Sequence, residues 1–477
     1  MNASLAMLAA VVSVNFNSEI GKLRPELHSS GFGPLVCSCP AERVQEIKSM
    51  GFKAARTHDW ALINGNQRVC DYFHIFPLMH LDAKDPKNYN FGPTDYLLKR
   101  TREEAGLDVF FRLGTSIEHS GTKVHFNSLI PEDFDKVAEI FAATVRHYNR
   151  GWADGFNWGI KYWEIWNEPD GLNNMWCLPD GDDGVGETDE ARAADRKARD
   201  AKRRELFATF FVKCLKRLKD EFPEIKVGGP ALCTWNKEYF GTLFEACKKA
   251  GVAPDFISWH HYDKNPDWVI HSIDEMRRFC DAQGFKDCEL IVDEWHFFGE
   301  YNWGELRSPD PAVRRRVWEG PAGHNGIDSS CFNLSLLSRL QTSKLDQAYY
   351  YGCRHMGAWG YMDESQNKYK VYYGLKAFGD FLKRHQILCE SKAESGLAVI
   401  AAKSESDAFK KGLIVTDYRT GATEITVEVE GVDSWHGPVV WVHDHTRDFA
   451  RVPARLIDGK IVLKKADANS AAFIVWF

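Results

Sequence analysis

The chain has 477 residues, enough for one large barrel and a smaller domain, and its 44% apolar and 27% charged residues are those of an ordinary soluble globular protein. Its net charge of −7 argues against a nucleic-acid partner and suits a neutral or weakly charged ligand. No apolar run approaches the ~18 residues of a spanning helix, so no membrane partner is expected.

The 12 cysteines are scattered, and Cys214, Cys247 and Cys353 fall inside predicted elements. That pattern predicts buried free thiols and a reducing, cytoplasmic setting. Cys37 and Cys39 lack metal-site spacing and have no second pair to match them. Residues 4–14 are apolar, but no Lys or Arg precedes them and no clear cleavage site follows. They are read as the start of a strand that runs on through Phe16, in preference to a leader peptide.

In chain order, residues 9–24 read as a β segment outside the barrel, and 28–35 as barrel strand one, where Gly31 and Gly33 allow close backbone approach. A helix from Pro40 carries Val44, Ile47 and Met50 at helical spacing. Strand two, 52–59, places Arg56 and His58 on one side. Helix 94–105 leads to strand three, 107–113, with Glu118 and His119 in its polar tail. Helix 131–149 precedes strand four, in which Tyr162, Trp163, Ile165 and Trp166 surround a single charge. Residues 170–187 are acidic and Gly-rich and read as a loop over the site mouth.

Helix 189–221 carries Phe207, Phe210, Phe211, Cys214, Leu215 and Leu218 on one face. Strand five is 225–231, followed by helix 235–250. Strand six ends in Trp259-His-His-Tyr262, and helix 268–283 follows it. Strand seven is 288–295, and a long loop reaches to residue 328. Helix 329–343, strand eight from 346 on towards Trp359, and helix 372–385 close a ring of eight strand–helix units. The fold class is therefore α/β, a (β/α)₈ TIM barrel over 25–387. Short strands at hairpin spacing over 388–477 predict a C-terminal β-sandwich, completed by residues 1–24.

The chemistry sits where strands four and seven end. Pro169 lacks an N–H, so the ladder stops and Glu168 is left at the strand's mouth among indoles. Strand seven ends in Asp293-Glu294; strict alternation lets only one of these enter a shared site, and Glu294 is the choice. Two carboxylates on one rim are what glycoside hydrolysis needs: one protonates the leaving oxygen, and the other attacks or activates water.

These residues carry a resemblance. Trp166-Asn-Glu-Pro169, the acid ending strand seven, Val227-Gly-Gly-Pro-Ala231, the run from Asp255 to Tyr262 and Arg56-Thr-His58 cover most of 28–385. Together they resemble the retaining glycosidases of clan A, and more narrowly glycoside hydrolase family 39, with its β-xylosidases and α-L-iduronidases. The resemblance implies Glu168 as acid/base, Glu294 as nucleophile and carboxyls ~5–5.5 Å apart. It implies that Asn167 binds the sugar 2-OH and that Tyr262 bonds the nucleophile. His58 and His260 would hold sugar hydroxyls, and Trp359 would lie under the sugar. Arg56 would bond rim carboxylates, with Asp363 and Glu364 as further hydroxyl ligands. It implies an oligosaccharide or glycoside partner, no cofactor and no metal, and it leaves a homo-oligomer open. Two departures are Asp293 before the nucleophile and the extra His261. The alternatives are an iduronidase-like specificity, a non-catalytic glycan-binding barrel, and a metal-dependent hydrolase built on His260, His261 and Asp293.

Overall fold

The computed structural model describes residues 10–31, 41–60, 68–116, 128–171, 175–181, 183–363, 365–394, 396–407, 410–433 and 437–477. Gly33, Cys37, Cys39, Glu118, His119 and Glu364 lie outside them. β1 (Ala10–Lys22) precedes a closed barrel of eight parallel strands: β2 (Ser29–Ser30), β3 (Ala54–Arg56), β4 (Asp108–Leu113), β5 (Tyr162–Ile165), β6 (Lys226–Leu232), β7 (Phe256–Asp263), β8 (Glu289–Phe297) and β9 (Gln347–Tyr350). The chain is thus a (β/α)₈ barrel with a separate domain of strands.

Helices form where caps and apolar stripes coincide. Asp133 accepts from the Lys136 N–H at the start of Phe134–Arg150, and Gly151 ends that helix at φ +66°. Thr188 caps Asp189–Glu221 in the same way, through the Ala191 N–H. The apolar stripe from Phe207 to Leu218 is buried against the barrel, while the basic first half stays largely in solvent. Residues 175–178, part of the loop expected over the site mouth, are buried. Trp176 is buried edge-on to Trp166 and Phe207, and the Trp166 Nε1–H donates to the Met175 carbonyl at 2.7 Å.

The barrel interior is layered. Ala54, Phe110, Phe256, Ile291 and Tyr349 plug its lower end. Two residues further along their strands stand Arg56, Arg112 and Ser258, level with Glu164 and wholly buried. The site therefore rests on an apolar plug with a polar layer above it.

Strand one is seen at Ser29–Ser30, and residues 32–35 of its expected span lie outside the described residues. Where Gly31 follows it, a Cβ would lie 3.2 Å from the carbonyl oxygens of Asp293 and Tyr349. Strand eight stops at Tyr350. Trp359 lies in the turn between β10 (Arg354–Met356) and β11 (Gly360–Met362), a separate parallel pair.

The remaining strands are β12 (Ile387–Ala393), β13 (Leu397–Lys403), β14 (Lys411–Asp417), β15 (Glu424–Glu430), β16 (Val439–His443), β17 (Asp448–Val452), β18 (Lys460–Lys464) and β19 (Ala471–Trp476). With β1 they make one continuous nine-stranded sheet, β17-β16-β19-β14-β13-β12-β1-β15-β18, where two facing sheets were expected. The sheet curls, because Val440 and Val442 near one end share a buried cluster with Ile461 and Leu463 at the other. Its second face packs Ile400, Ile414 and Ile474 into the barrel's own core. Asp328, on the barrel helix Ile327–Leu340, accepts from Arg419 Nε at 2.7 Å and Ser470 Oγ at 2.6 Å, pinning sheet to barrel. No helix among the described residues is long and apolar enough to cross a membrane.

Candidate active site

Strand β5 ends in a turn with two left-handed residues, Trp166 at φ +76° and Glu168 at φ +45°. Each costs of order 1–2 kcal/mol in an L-residue. The turn is held by Trp166 N–H to Leu113 O at 2.6 Å and Glu168 N–H to Ala231 O at 2.8 Å. Its effect is to turn two consecutive side chains inward. Asn167 Oδ1 accepts from Arg56 Nη2 at 2.7 Å, and Glu168 Oε1 lies 2.9 Å from His260 Nδ1.

Strand β8 does the same by another device. Trp259 pairs with Val292, but His260 pairs with Glu294, so Asp293 is an extra residue in a β-bulge. The bulge breaks the alternation that was expected to send Asp293 away from the site. Asp293 Oδ2 lies 3.0 Å from Arg56 Nη2, and Glu294 Oε1 accepts from Arg56 Nη1 at 2.8 Å. Both acids enter the barrel.

Arg56 is the hub. It is fully buried, and its Nε donates to Glu164 Oε2 at 2.6 Å, so three carboxylates and one amide share one guanidinium. Burial opposes its charge, but Glu164, Asp293 and Glu294 outweigh that, and its pKa is raised. Burial pushes Glu164 up to about 8, against the pull of Arg56 and the Ser258 hydroxyl. Burial likewise works to raise Asp293, but Arg56 and His260 hold it below the usual carboxylate range. Glu294 is pushed up to about 7 by burial, with His260 and Arg56 opposing.

Tyr262 OH donates to Glu294 Oε2 at 2.7 Å, and His260 Nδ1 lies 3.4 Å from the same oxygen. Because Nδ1 is 2.9 Å from Glu168 Oε1 and 3.4 Å from Glu294 Oε2, those oxygens are at most about 6.3 Å apart. His58 Nε2 stands 3.6 Å from Glu294 Oε1. His58 is buried with no hydrogen bond to either ring nitrogen, and burial, aided by Arg56, Arg112 and His260, holds its pKa well below 6.5. Asn167 Nδ2 is also buried and unbonded. These groups are free to meet a polar ligand.

An aromatic wall closes one side. Trp359 lies 5.9 Å from Tyr262, 5.0 Å from Tyr351 and 6.0 Å from Trp303, ring centre to ring centre. Behind it, His324 stacks on His296 at 3.8 Å and meets Trp359 edge-on at 4.6 Å. Asn325 Nδ2 donates to Ala358 O at 2.8 Å, fixing the turn that carries the indole.

All eight residues singled out from the sequence (Arg56, His58, Asn167, Glu168, His260, Tyr262, Glu294 and Trp359) meet at this rim. Asp293, expected to point away, joins them, and Glu164, Tyr351 and the His296–His324 stack were missed. Glu164 carried a signal, as the only charge inside a buried strand. Asp363 is bound into its own turn by the Asn367 backbone and side chain. His261 faces outward, 3.0 Å from Ser272 Oγ on the helix Pro266–Ala282, so it is separated from His260 and Asp293. Among the described residues, no group of three or more His, Cys, Asp or Glu side chains could hold a metal ion.

No family model matches the chain. It is similar to a β-xylosidase of Geobacillus stearothermophilus, 28% identical over 208 residues that make up 42% of this chain and 36% of that protein. It is also similar to a β-xylosidase of Caldicellulosiruptor saccharolyticus, 25% identical over 275 residues, 53% of this chain and 46% of that protein. The chain thus spans less than half the length of either relative. Among solved structures, a glucosidase of Croceicoccus marinus aligns over 98% of this chain and 99% of its own with a TM-score of 0.72 at 18% identity. A family 30 subfamily 8 xylanase of Clostridium acetobutylicum aligns over 98% and 99%, with a TM-score of 0.55 at 13% identity. These likenesses show the shared fold.

Proposed function

We propose that the protein is a retaining glycoside hydrolase, β-xylosidase-like, that removes a terminal sugar by double displacement. One observation carries the reading. Two carboxylates from the ends of β5 and β8 converge on one imidazole nitrogen, which keeps their facing oxygens within about 6.3 Å, compatible with the ~5–5.5 Å of a retaining pair. Glu168 gives its proton to the glycosidic oxygen while Glu294 attacks the anomeric carbon. Glu168 then takes a proton from the water that releases the sugar. Arg56 and Tyr262 stabilise the ionised form of Glu294. Asn167 Nδ2 and His58 offer unsatisfied groups to sugar hydroxyls, and Trp359 offers a face to the ring. The match to two β-xylosidases supports this sugar, and the narrower assignment to family 39 belongs to the same proposal.

A second reading, iduronidase-like, is favoured by Arg112. Its Nη2 donates to Asp71 Oδ1 at 2.6 Å and Ser116 Oγ at 2.8 Å, while its Nε and Nη1 are buried without a hydrogen-bond partner, so each offers an N–H to a substrate carboxylate. A nitrophenyl-glycoside panel with xylose, arabinose, galactose, glucose, fucose and iduronate decides between them. Proton NMR of the first-formed sugar should show the substrate's own anomer. The opposite anomer would sink double displacement, and silence on every glycoside would favour a glycan-binding barrel.

The pH profile offers a further check. The acidic limb of kcat/KM should reflect Glu294, which must be ionised to attack, and should lie above 4.5, since burial raises that group to about 7. In Tyr262→Phe a donor to the carboxylate is lost, its pKa rises, and the limb should move about one unit to higher pH. A limb that does not move would remove Tyr262 from that role.

A further inference from the structure

Asp293 has no part in the double displacement, yet a bulge turns it into the barrel. It is fully buried, and its Oδ2 lies 3.0 Å from Arg56 Nη2 and 3.4 Å from His260 Nε2. The other nitrogen of that ring, Nδ1, faces Glu168 Oε1 at 2.9 Å and Glu294 Oε2 at 3.4 Å. A neutral imidazole has one N–H and one lone pair, so it would turn a lone pair towards one of these anions. The imidazolium has a donor for each side.

We propose that Asp293 is a positioning residue that keeps His260 doubly protonated, so that its Nδ1–H stands between Glu168 and Glu294 and serves whichever of them is ionised. This rests on the retaining reading above. Double displacement begins with Glu294 as the anion and the proton on Glu168. In the first step the Glu294–anomeric carbon bond forms and the bond to the leaving oxygen breaks. The Glu168 proton passes to that oxygen, and the negative charge moves to Glu168. In the second step the water oxygen bonds to the anomeric carbon, the bond to Glu294 breaks, and a water proton passes to Glu168. The charge crosses the site twice, and the same N–H meets it on either side while His260 keeps both protons throughout.

The surroundings support the assignment. Around the ring stand Glu168 and Asp170 beyond β5, Asp293 and Glu294 on β8, Arg56 and His58 on and just past β3, and Tyr262 on its own strand. Burial opposes a charge on His260, but Glu294, Asp293 and Glu168 outweigh it and raise its pKa well above 6.5. His58 stays neutral beside it.

The test turns on a sign. If His260 kept its charge without Asp293, Asp293→Asn would merely remove an anion that raises Glu294, and the acidic limb of kcat/KM would move to lower pH. If His260 loses its charge along with its counter-ion, both catalytic carboxylates lose a close cation. The acidic limb should then move to higher pH, by about one unit, which is the expected result. Movement to lower pH, or none, would overturn the proposal.

A second measurement needs no turnover. With ¹⁵N-labelled histidine, and His260 assigned by its loss in His260→Gln, both ring nitrogens should be protonated at pH 7 in the unmodified protein. A neutral His260 there would overturn the proposal even if Asp293→Asn failed to fold. A doubly protonated His260 in a chain inactive on every glycoside would instead support the charge state and sink the function proposed above.

Discussion

Glu294→Ala should abolish turnover of natural and activated glycosides alike, because it removes the group that bonds to the anomeric carbon. Glu168→Ala should lose about 10²–10⁴ on a natural glycoside, whose leaving oxygen needs a proton. With a dinitrophenyl glycoside its first step should be nearly intact, since that phenolate leaves unaided. Azide should then speed release from the covalent intermediate and give a glycosyl azide of the substrate's own configuration. In Glu294→Ala, azide should attack from the nucleophile's side and give the inverted product. Near-native turnover of the activated substrate by Glu294→Ala, with Glu168→Ala dead, would exchange the two roles. Full activity in both variants would end the glycosidase reading.

Removing Arg56 should have the largest effect on stability. Arg56→Met leaves Glu164, Asp293 and Glu294 in a dry site without their common cation, and breaking a buried pair by removing one partner costs about 3–5 kcal/mol. The loss should also depend on pH. Glu164 and Glu294 already have raised pKa values, about 8 and about 7, so in the folded state they favour the protonated form. Their deprotonation becomes costly as pH rises through those values, and without Arg56 the cost is larger. Denaturant unfolding should therefore show a smaller deficit at pH 5 than at pH 8. A deficit independent of pH would mean that lost packing, not unpaired charge, is responsible.

The ends of β5 and β8 were legible because a short apolar strand stopped by a carboxylate is a local pattern. The helix Asp189–Glu221 was legible for a similar reason, with a threonine cap at one end and a periodic stripe at the other. What failed were inferences that assumed a regular ladder. Alternation separates Asp293 from Glu294, and only the pairing of β7 with β8 reveals the bulge that unites them. The strands β12, β17 and β18 are weakly signalled on other grounds. β17 and β18 are the sheet's edges, where one or both faces stay wet and the apolar signal is weak. β12 begins only three residues after Arg384, before any turn residue announces it. Tyr351 and the His296–His324 stack depend on how distant loops return to the rim, which no local pattern encodes.

The place of β1 governs the order in which the molecule can be made. It lies inside the sheet, parallel to β15 and antiparallel to β12, and Phe16 touches Cys389, 373 residues further along the chain. During synthesis at roughly 5–20 residues per second, β1 leaves the ribosome on the order of tens of seconds before either neighbour exists. For that interval Val12, Val14 and Phe16, all buried in the finished sheet, line an unpaired strand with two open edges, while the barrel can already close behind it. The nascent chain thus carries an adhesive segment for as long as the barrel is being made. A chaperone that shields such a strand would raise the yield of folded protein by acting on a strand made before the barrel and docked after it.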